Sequence, residues 1–149
     1  MSASFHLRPY RTEDEDAAIA LWQRTWQQAY PSINFAARVP WWRERWRNEL
    51  VPNAAIIVAE QAGVLIGFVT IDLKGYLDQL VVSPTHWGSE LGNALLDEAK
   101  RLSPDRITLL VNTDNARAIR FYERNGFAQT GGDMNPTSGR PVLRMEWKG

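Results

Sequence analysis

From Tyr76 to Val111 the sequence spells a strand, a turn, a helix and a second strand. Tyr76 to Val82 is apolar in the strand manner, and Ser83-Pro84 stops it. Leu91 to Leu102 places Leu91, Leu95, Ala99 and Leu102 on one side of a helix. After Pro104-Asp105, Arg106 to Val111 resumes the strand pattern. Strands joined through a helical crossover lie parallel, with a right-handed connection. This segment alone commits the chain to the α/β class and predicts a parallel pairing of its fourth and fifth strands.

The rest of the chain supplies the partners. Phe5-His6-Leu7-Arg8 alternates as a first strand. Thr12-Glu13-Asp14-Glu15 fits a capping box, and Ala18, Leu21, Trp22, Thr25, Trp26 and Ala29 form one helical stripe that Pro31 ends. Phe35 to Leu50 is a second helical stretch, rich in Trp and Arg, with Pro40 near its start. Ala54 to Glu60 and Val64 to Asp72 are strands about an Ala62-Gly63 turn, and Lys74-Gly75 turns into the fourth strand. Asp114 or Asn115 caps a helix from Ala116 to Asn125, followed by Gly126. Phe127 to Gly131 starts a strand, and Val142 to Trp147 is the last. The order β-α-α-β-β-β-α-β-α-β-β predicts a mixed sheet of about seven strands with four helices over both faces. With 149 residues, no repeat and no Pro/Gly/Ser-rich linker, residues 1–149 read as a single domain able to bury its own core.

Composition removes several function classes. Lys+Arg and Asp+Glu each number 17, a balance that argues against a nucleic-acid-binding stripe. The chain has no cysteine, which excludes disulfides, thiolate metal sites and a thiol nucleophile. His6 and His86 stand far apart in sequence, so no metal is expected. No apolar run approaches the roughly 20 residues that span a bilayer. Met1-Ser2-Ala3-Ser4 has neither a basic nor an apolar leader pattern. A cytoplasmic location is expected, with neither membrane nor nucleic acid as partner. Five of the seven tryptophans, Trp22, Trp26, Trp41, Trp42 and Trp46, fall in the first third; rings this large fill a core or line a pocket.

The junction from Leu80 to Leu96 is the first place where chemistry shows. Gly88 and Gly92 let the backbone approach a ligand closely, and the helix start offers unpaired N–H groups and a partial positive dipole. Together these suit a phosphate or pyrophosphate. The spacing is neither the dinucleotide fingerprint nor the P-loop, and glycines here would equally serve a plain turn.

The second signal lies in Val111-Asn112-Thr113-Asp114-Asn115-Ala116-Arg117-Ala118-Ile119-Arg120-Phe121-Tyr122-Glu123-Arg124-Asn125-Gly126-Phe127. Leu-x-Val-x-Pro ahead of a Gly-containing turn and helix, then Asn-x-x-Ala-x-x-Phe-Tyr-x-x-x-Gly-Phe, resembles the GNAT superfamily of acetyl-CoA-dependent N-acetyltransferases. The resemblance covers most of the chain, and Leu7-Arg8-Pro9 before an amphipathic helix looks like that family's opening. It implies splayed fourth and fifth strands with acetyl-CoA, the co-substrate, in the gap. Backbone groups at Leu80, Val81 and Val82 would hold the pantetheine arm like an added strand. The turn amides from Trp87 through Gly88, Ser89, Glu90, Leu91 and Gly92 to Asn93 would hold the pyrophosphate. Asn115, on the helix face it shares with Ala118, matches a cofactor contact, though a plain N-cap is its other reading. Tyr122 matches the tyrosine that protonates the departing thiolate, its alternative being a core aromatic.

The sequence departs from the family pattern in places. Trp87 and Glu90 stand where a Gln or Arg and a Gly are usual. Glu90 is expected to point outward, where the helix start favours a carboxylate. Arg117, Arg120 and Arg124 could reach a CoA phosphate or simply form a solvated face. Leu110 occupies the position where some relatives carry a glutamate base. Asp78, expected on the face of Leu80 and Val82, is the candidate base, directly or through water; its other reading is a structural acceptor. Tyr76 would point into the same cleft. The resemblance puts the acceptor between the first two helices and the Asn135–Pro141 loop, with Trp26, Tyr30, Trp42 and Tyr76 as contacts among Trp22, Phe35, Trp41 and Trp46. Trp41 and Trp42 cannot both face inward, because helix neighbours stand about 100° apart. The expected reaction is direct attack of a primary amine on acetyl-CoA in a ternary complex. The amine could belong to a small molecule, a peptide or a protein. The rival is a non-catalytic acyl-CoA-binding or protein-interaction module, and a homodimer is left open.

Overall fold

The computed structural model describes residues 4–136 and 138–149. Met1 to Ala3, on which the leader reading rests, and Thr137, inside the expected Asn135–Pro141 loop, lie outside the described residues. Strands β1 (His6–Pro9), β2 (Ala54–Gln61), β3 (Val64–Asp72) and β4 (Leu77–Val82) form one antiparallel sheet in the order β1-β2-β3-β4. Strands β5 (Arg106–Asn112), β6 (Ala128–Met134) and β7 (Pro141–Lys148) form a second, in the order β5-β7-β6. Helix α1 (Glu15–Ala29) follows β1. The second helical stretch runs as α2 (Val39–Arg45), a π-helical turn (Trp46–Leu50) and α3 (Val51–Asn53) without a break. Helices α4 (Leu91–Leu102) and α5 (Ala116–Arg124) flank β5 in sequence. Counting the second stretch once, these are the four helical segments and seven strands expected. No helix among the described residues is long and apolar enough to cross a membrane.

Two apolar layers sandwich the first sheet. On one side α1, α2 and the π-helical turn deliver Ala18, Leu21, Trp22, Trp42 and Trp46 against Val58, Phe68 and Val81. On the other, α4 delivers Leu91, Leu95, Leu96 and Ala99 against Ile57, Val69 and Ile71, joined by Leu109, Tyr122 and Met145. Phe68 and Val69 face opposite layers, as strand alternation requires. The capping box expected at Thr12 is replaced. A short 3-10 turn covers Thr12–Asp14, and Asp14 accepts the Arg11 N–H (2.8 Å) while holding Arg8 through both carboxylate oxygens at 2.8 Å.

Two features shape the site. The parallel pair β4 and β5 touches at one end only, through the isolated Tyr76–Thr108 bridge, where the Thr108 N–H donates to the Gly75 carbonyl at 2.9 Å. Gly75 has φ +83°, and a Cβ there would sit 2.5 Å from the Arg106 carbonyl oxygen, so only glycine lets the strands meet. Beyond the bridge the two strands part into separate sheets. The second feature is a bulge in β4. Val69 pairs with Leu80 and Ile71 with Leu77, so β4 spends one residue more than β3 over Asp78 and Gln79.

Candidate active site

The parting of β4 from β5 opens a cleft of about 1460 Å³. One wall is the free edge of β4. The Ser83 N–H donates to Ile66 on β3 at 2.8 Å, so Val82 faces the other way, into the gap. Leu80, two residues earlier, shares that orientation. Leu80, Val81 and Val82 all line the cleft.

The turn after β4 contributes Trp87, Gly88, Ser89, Gly92 and Asn93 to the lining. Glu90 is exposed and makes no side-chain cap, which agrees with the outward orientation expected. Neither Glu90 nor Leu91 lines the cleft. Leu91 is buried in the core, and its N–H is taken by the Ser89 hydroxyl at 3.3 Å. At the first turn of α4 the amides of Gly92 and Asn93 make no hydrogen bond among the described residues, the ordinary condition of a helix start and a fit for an anion. Gly92 packs on α5, where a Cβ would meet Phe121 at 3.1 Å.

Across the gap stand Leu110, Asn112, Asn115, Ala118 and Tyr122. Asn115 caps α5 by accepting the Ala118 N–H at 3.3 Å, and its amide nitrogen donates to nothing among the described residues. Tyr122 is 8% exposed, wedged between the rings of Phe121 and Phe127. Burial pushes its pKa up, slightly opposed by the Arg117 charge, so the hydroxyl keeps its proton.

The bulge corrects the expected position of Asp78. Leu77, Leu80 and Val82 keep to the α4 side, while Asp78 and Gln79 turn toward α1 and α2. Asp78 Oδ1 accepts from Arg45 Nη1 at 3.0 Å and from Gln79 Nε2 at 3.1 Å, and Oδ2 pairs with Arg45 Nη2. The Gln79 N–H goes to Thr70 Oγ1 at 3.0 Å, and the Trp26 indole donates to Gln79 Oε1 at 3.4 Å. In the sequence Arg45 stood only as one of four arginines near the aromatic cluster, with Arg38, Arg43 and Arg47, able to favour an acidic group and with no link to Asp78. The signal lay in two adjacent polar residues, Asp78-Gln79, breaking the alternation of β4. Tyr76 lines the same end. Burial, with the Asp78 charge beside it, pushes its phenol up to about 12.

The aromatic end is layered. Trp42 is 1% exposed and stacks on Trp22 with centroids 4.7 Å apart, whereas Trp41 is 44% exposed. Trp41 is thus the ring that solvent reaches, and Trp42 lies beneath it. Trp26 stacks on Tyr30 at 5.8 Å. The Tyr30 hydroxyl donates to Asp114 at 2.8 Å and accepts from Asn112 at 3.1 Å. Arg140, from the loop between β6 and β7, lies over the Tyr30 ring at 4.7 Å and pairs with Asp114 at 2.5 Å. This clamp, which joins the end of α1, the end of β5 and the loop, had no sequence signal because its members are up to 110 positions apart.

Comparison with known proteins gives the arrangement its family. The profile of the Acetyltransferase (GNAT) family matches residues 14–127. The peptidyl-lysine N-acetyltransferase YjaB of Salmonella typhimurium is 28% identical over 137 residues, covering 91% of this chain and 92% of that protein. In fold, the chain matches the PaiA N-acetyltransferase of Thermoplasma acidophilum, solved with coenzyme A, at a TM-score of 0.81 and 23% identity, over 98% of this chain and 99% of that one. It matches the apo form of Escherichia coli YjaB at 0.77 and 24% identity, over 97% of each chain. The chain belongs to the Acetyltransferase (GNAT) family: it is an N-acetyltransferase, and acetyl-CoA is its co-substrate.

Proposed function

We propose that this acetyltransferase moves the acetyl group of acetyl-CoA directly to the side-chain amine of a lysine in a protein, within a ternary complex. The observation that carries the reading is the gap-facing edge of β4, which no strand covers beyond the Tyr76–Thr108 bridge, since such an edge recruits an extended partner. The lysine acceptor is supported by the YjaB-type relatives, which are named peptidyl-lysine N-acetyltransferases. The residues assigned here cover 1–149 as one catalytic domain.

In this reading the pantetheine arm lies along Leu80 to Val82, and the pyrophosphate sits on the orphan amides of Gly92 and Asn93. Asn115 and Ala118 cover the arm from α5. The thioester then rests beside the bulge. The Leu80 N–H, facing the gap, donates to the carbonyl oxygen as negative charge builds there. The amine nitrogen attacks the carbonyl carbon, the C–S bond breaks, and the electron pair goes to sulfur. Tyr122, kept protonated by burial, donates its proton to that sulfur, and the proton the nitrogen sheds as the amide forms returns through water to the phenolate. The oxygens of Asp78 are already engaged by Arg45 and Gln79. The role that fits this pairing is to fix the bulge, leaving water in the cleft to carry off the ammonium proton. Tyr76, with its phenol neutral, lines that route without accepting the proton. Trp26, Tyr30 and Trp41 guide the aliphatic stem of the lysine.

The test is release of free CoA from acetyl-CoA with lysine peptides whose α-amine is blocked. Turnover with these peptides, and none with peptides whose only amine is the N-terminus, is expected. Turnover confined to α-amines or to small amines would overturn the lysine assignment.

A further inference from the structure

A side chain of the protein already occupies part of the β4 edge. The Trp87 indole N–H donates to the Val82 carbonyl at 2.8 Å, on the side of the strand that faces the gap. On its outer face the indole carries Arg117, whose guanidinium carbon lies 3.9 Å from the ring centroid. Trp87 follows β4 and Arg117 belongs to α5, which follows β5, so the stack straps the two halves of the cleft together across its mouth. Arg117 pairs with no carboxylate among the described residues, and loss of water against its surroundings lowers its pKa. The ring face is the contact recorded for that cation. Behind the indole, Gly88 has φ +81° and open space around it, which gives the chain a swivel. The indole is therefore held across the cleft mouth by one side-chain hydrogen bond and one cation–π contact.

We infer that Trp87 is a removable plug of the cofactor groove: its indole holds the Val82 carbonyl in the free protein and must leave before acetyl-CoA can lie along β4. An indole nitrogen only donates, as does an amide N–H of an added strand, so the two compete for one carbonyl and the space in front of it. The inference rests on the reading that the pantetheine arm lies on β4. Trp87 then governs the rate of cofactor capture.

The experiment uses acetyl-CoA with the wild-type protein and with Trp87→Phe, which keeps an aromatic ring for Arg117 while removing the plug's N–H and shrinking its bulk. Stopped-flow binding should show the association rate constant rising roughly fivefold in the variant, the effect of one hydrogen bond no longer broken on binding. An unchanged or slower association overturns the plug. In the wild-type ¹H–¹⁵N spectrum, the indole cross-peak absent from the variant should be protected from exchange in the free protein. It should shift and lose protection when acetyl-CoA is saturating. Binding of acetyl-CoA with that cross-peak unmoved overturns the plug alone, whereas failure of the wild-type protein to bind overturns the β4 reading with it.

Discussion

Tyr122 places a hydroxyl where a phenylalanine would pack equally well, among Phe121 and Phe127. Among the described residues no hydrogen bond uses that oxygen, so its removal isolates a chemical role. Tyr122→Phe should lower kcat by roughly 10²-fold with the affinity for acetyl-CoA and the Tm nearly unchanged, as read by steady-state kinetics, calorimetry and thermal melting. A full-rate variant would return Tyr122 to the core. Its pKa is raised above the ordinary value near 10, so the rate should not fall through its ionisation anywhere below pH 10. Asp78 leads to the opposite expectation. Asp78→Asn breaks the pair with Arg45, half-buried beside Trp42, and loosens the bulge. Rate should drop by about the same factor at every pH, and the Tm should fall with it. A loss that shrinks as pH rises, when more amine arrives neutral, would restore Asp78 as the base.

At the scale of elements, the proposed reading rests the cofactor phosphates on the main chain at the start of α4. Its first turn offers main-chain donors, and Gly92 keeps α5 close enough to cover them. Gly92→Asp adds a Cβ 3.1 Å from the Phe121 ring and a negative charge beside the phosphates. Affinity for acetyl-CoA should weaken at least roughly tenfold by calorimetry, because charge and helix dipole then oppose each other. Unchanged affinity would move the pyrophosphate elsewhere. The elements themselves were legible. The bounds of β3 and α4 coincide with the sequence reading, since continuous apolar β-branched residues and a four-residue leucine repeat each satisfy one period alone. The Thr12 cap was misread because Arg8, a strand away in space, makes Asp14 the better partner. The bulge was missed because alternation was extended through Asp78-Gln79 as though both residues obeyed it. That single slip put Asp78 on the wrong face and hid Arg45.

For the molecule as a whole, the half of the cleft that the proposed reading gives to the cofactor was legible in the sequence, and the other half was blurred. The cofactor half is local: a strand, a turn and a helix start adjacent in the chain, each with its own signature. The acceptor half is assembled from α1, α2, the end of β5 and the loop before β7, and no short-range pattern announces that Tyr30 meets Asp114 or that Trp41 rather than Trp42 is the exposed ring. The order β5-β7-β6 carries a further consequence. The last strand in the chain is the middle strand of its sheet, so β5 and β6 have no partner until Pro141–Lys148 has emerged. During synthesis the wall bearing Leu110 and Asn112 stays unzipped while the first sheet, made of neighbours in sequence, can already close. Competence to hold both substrates thus arrives only once β7 is translated, and a nascent chain halted before Pro141 carries a finished strand edge facing an unfinished wall.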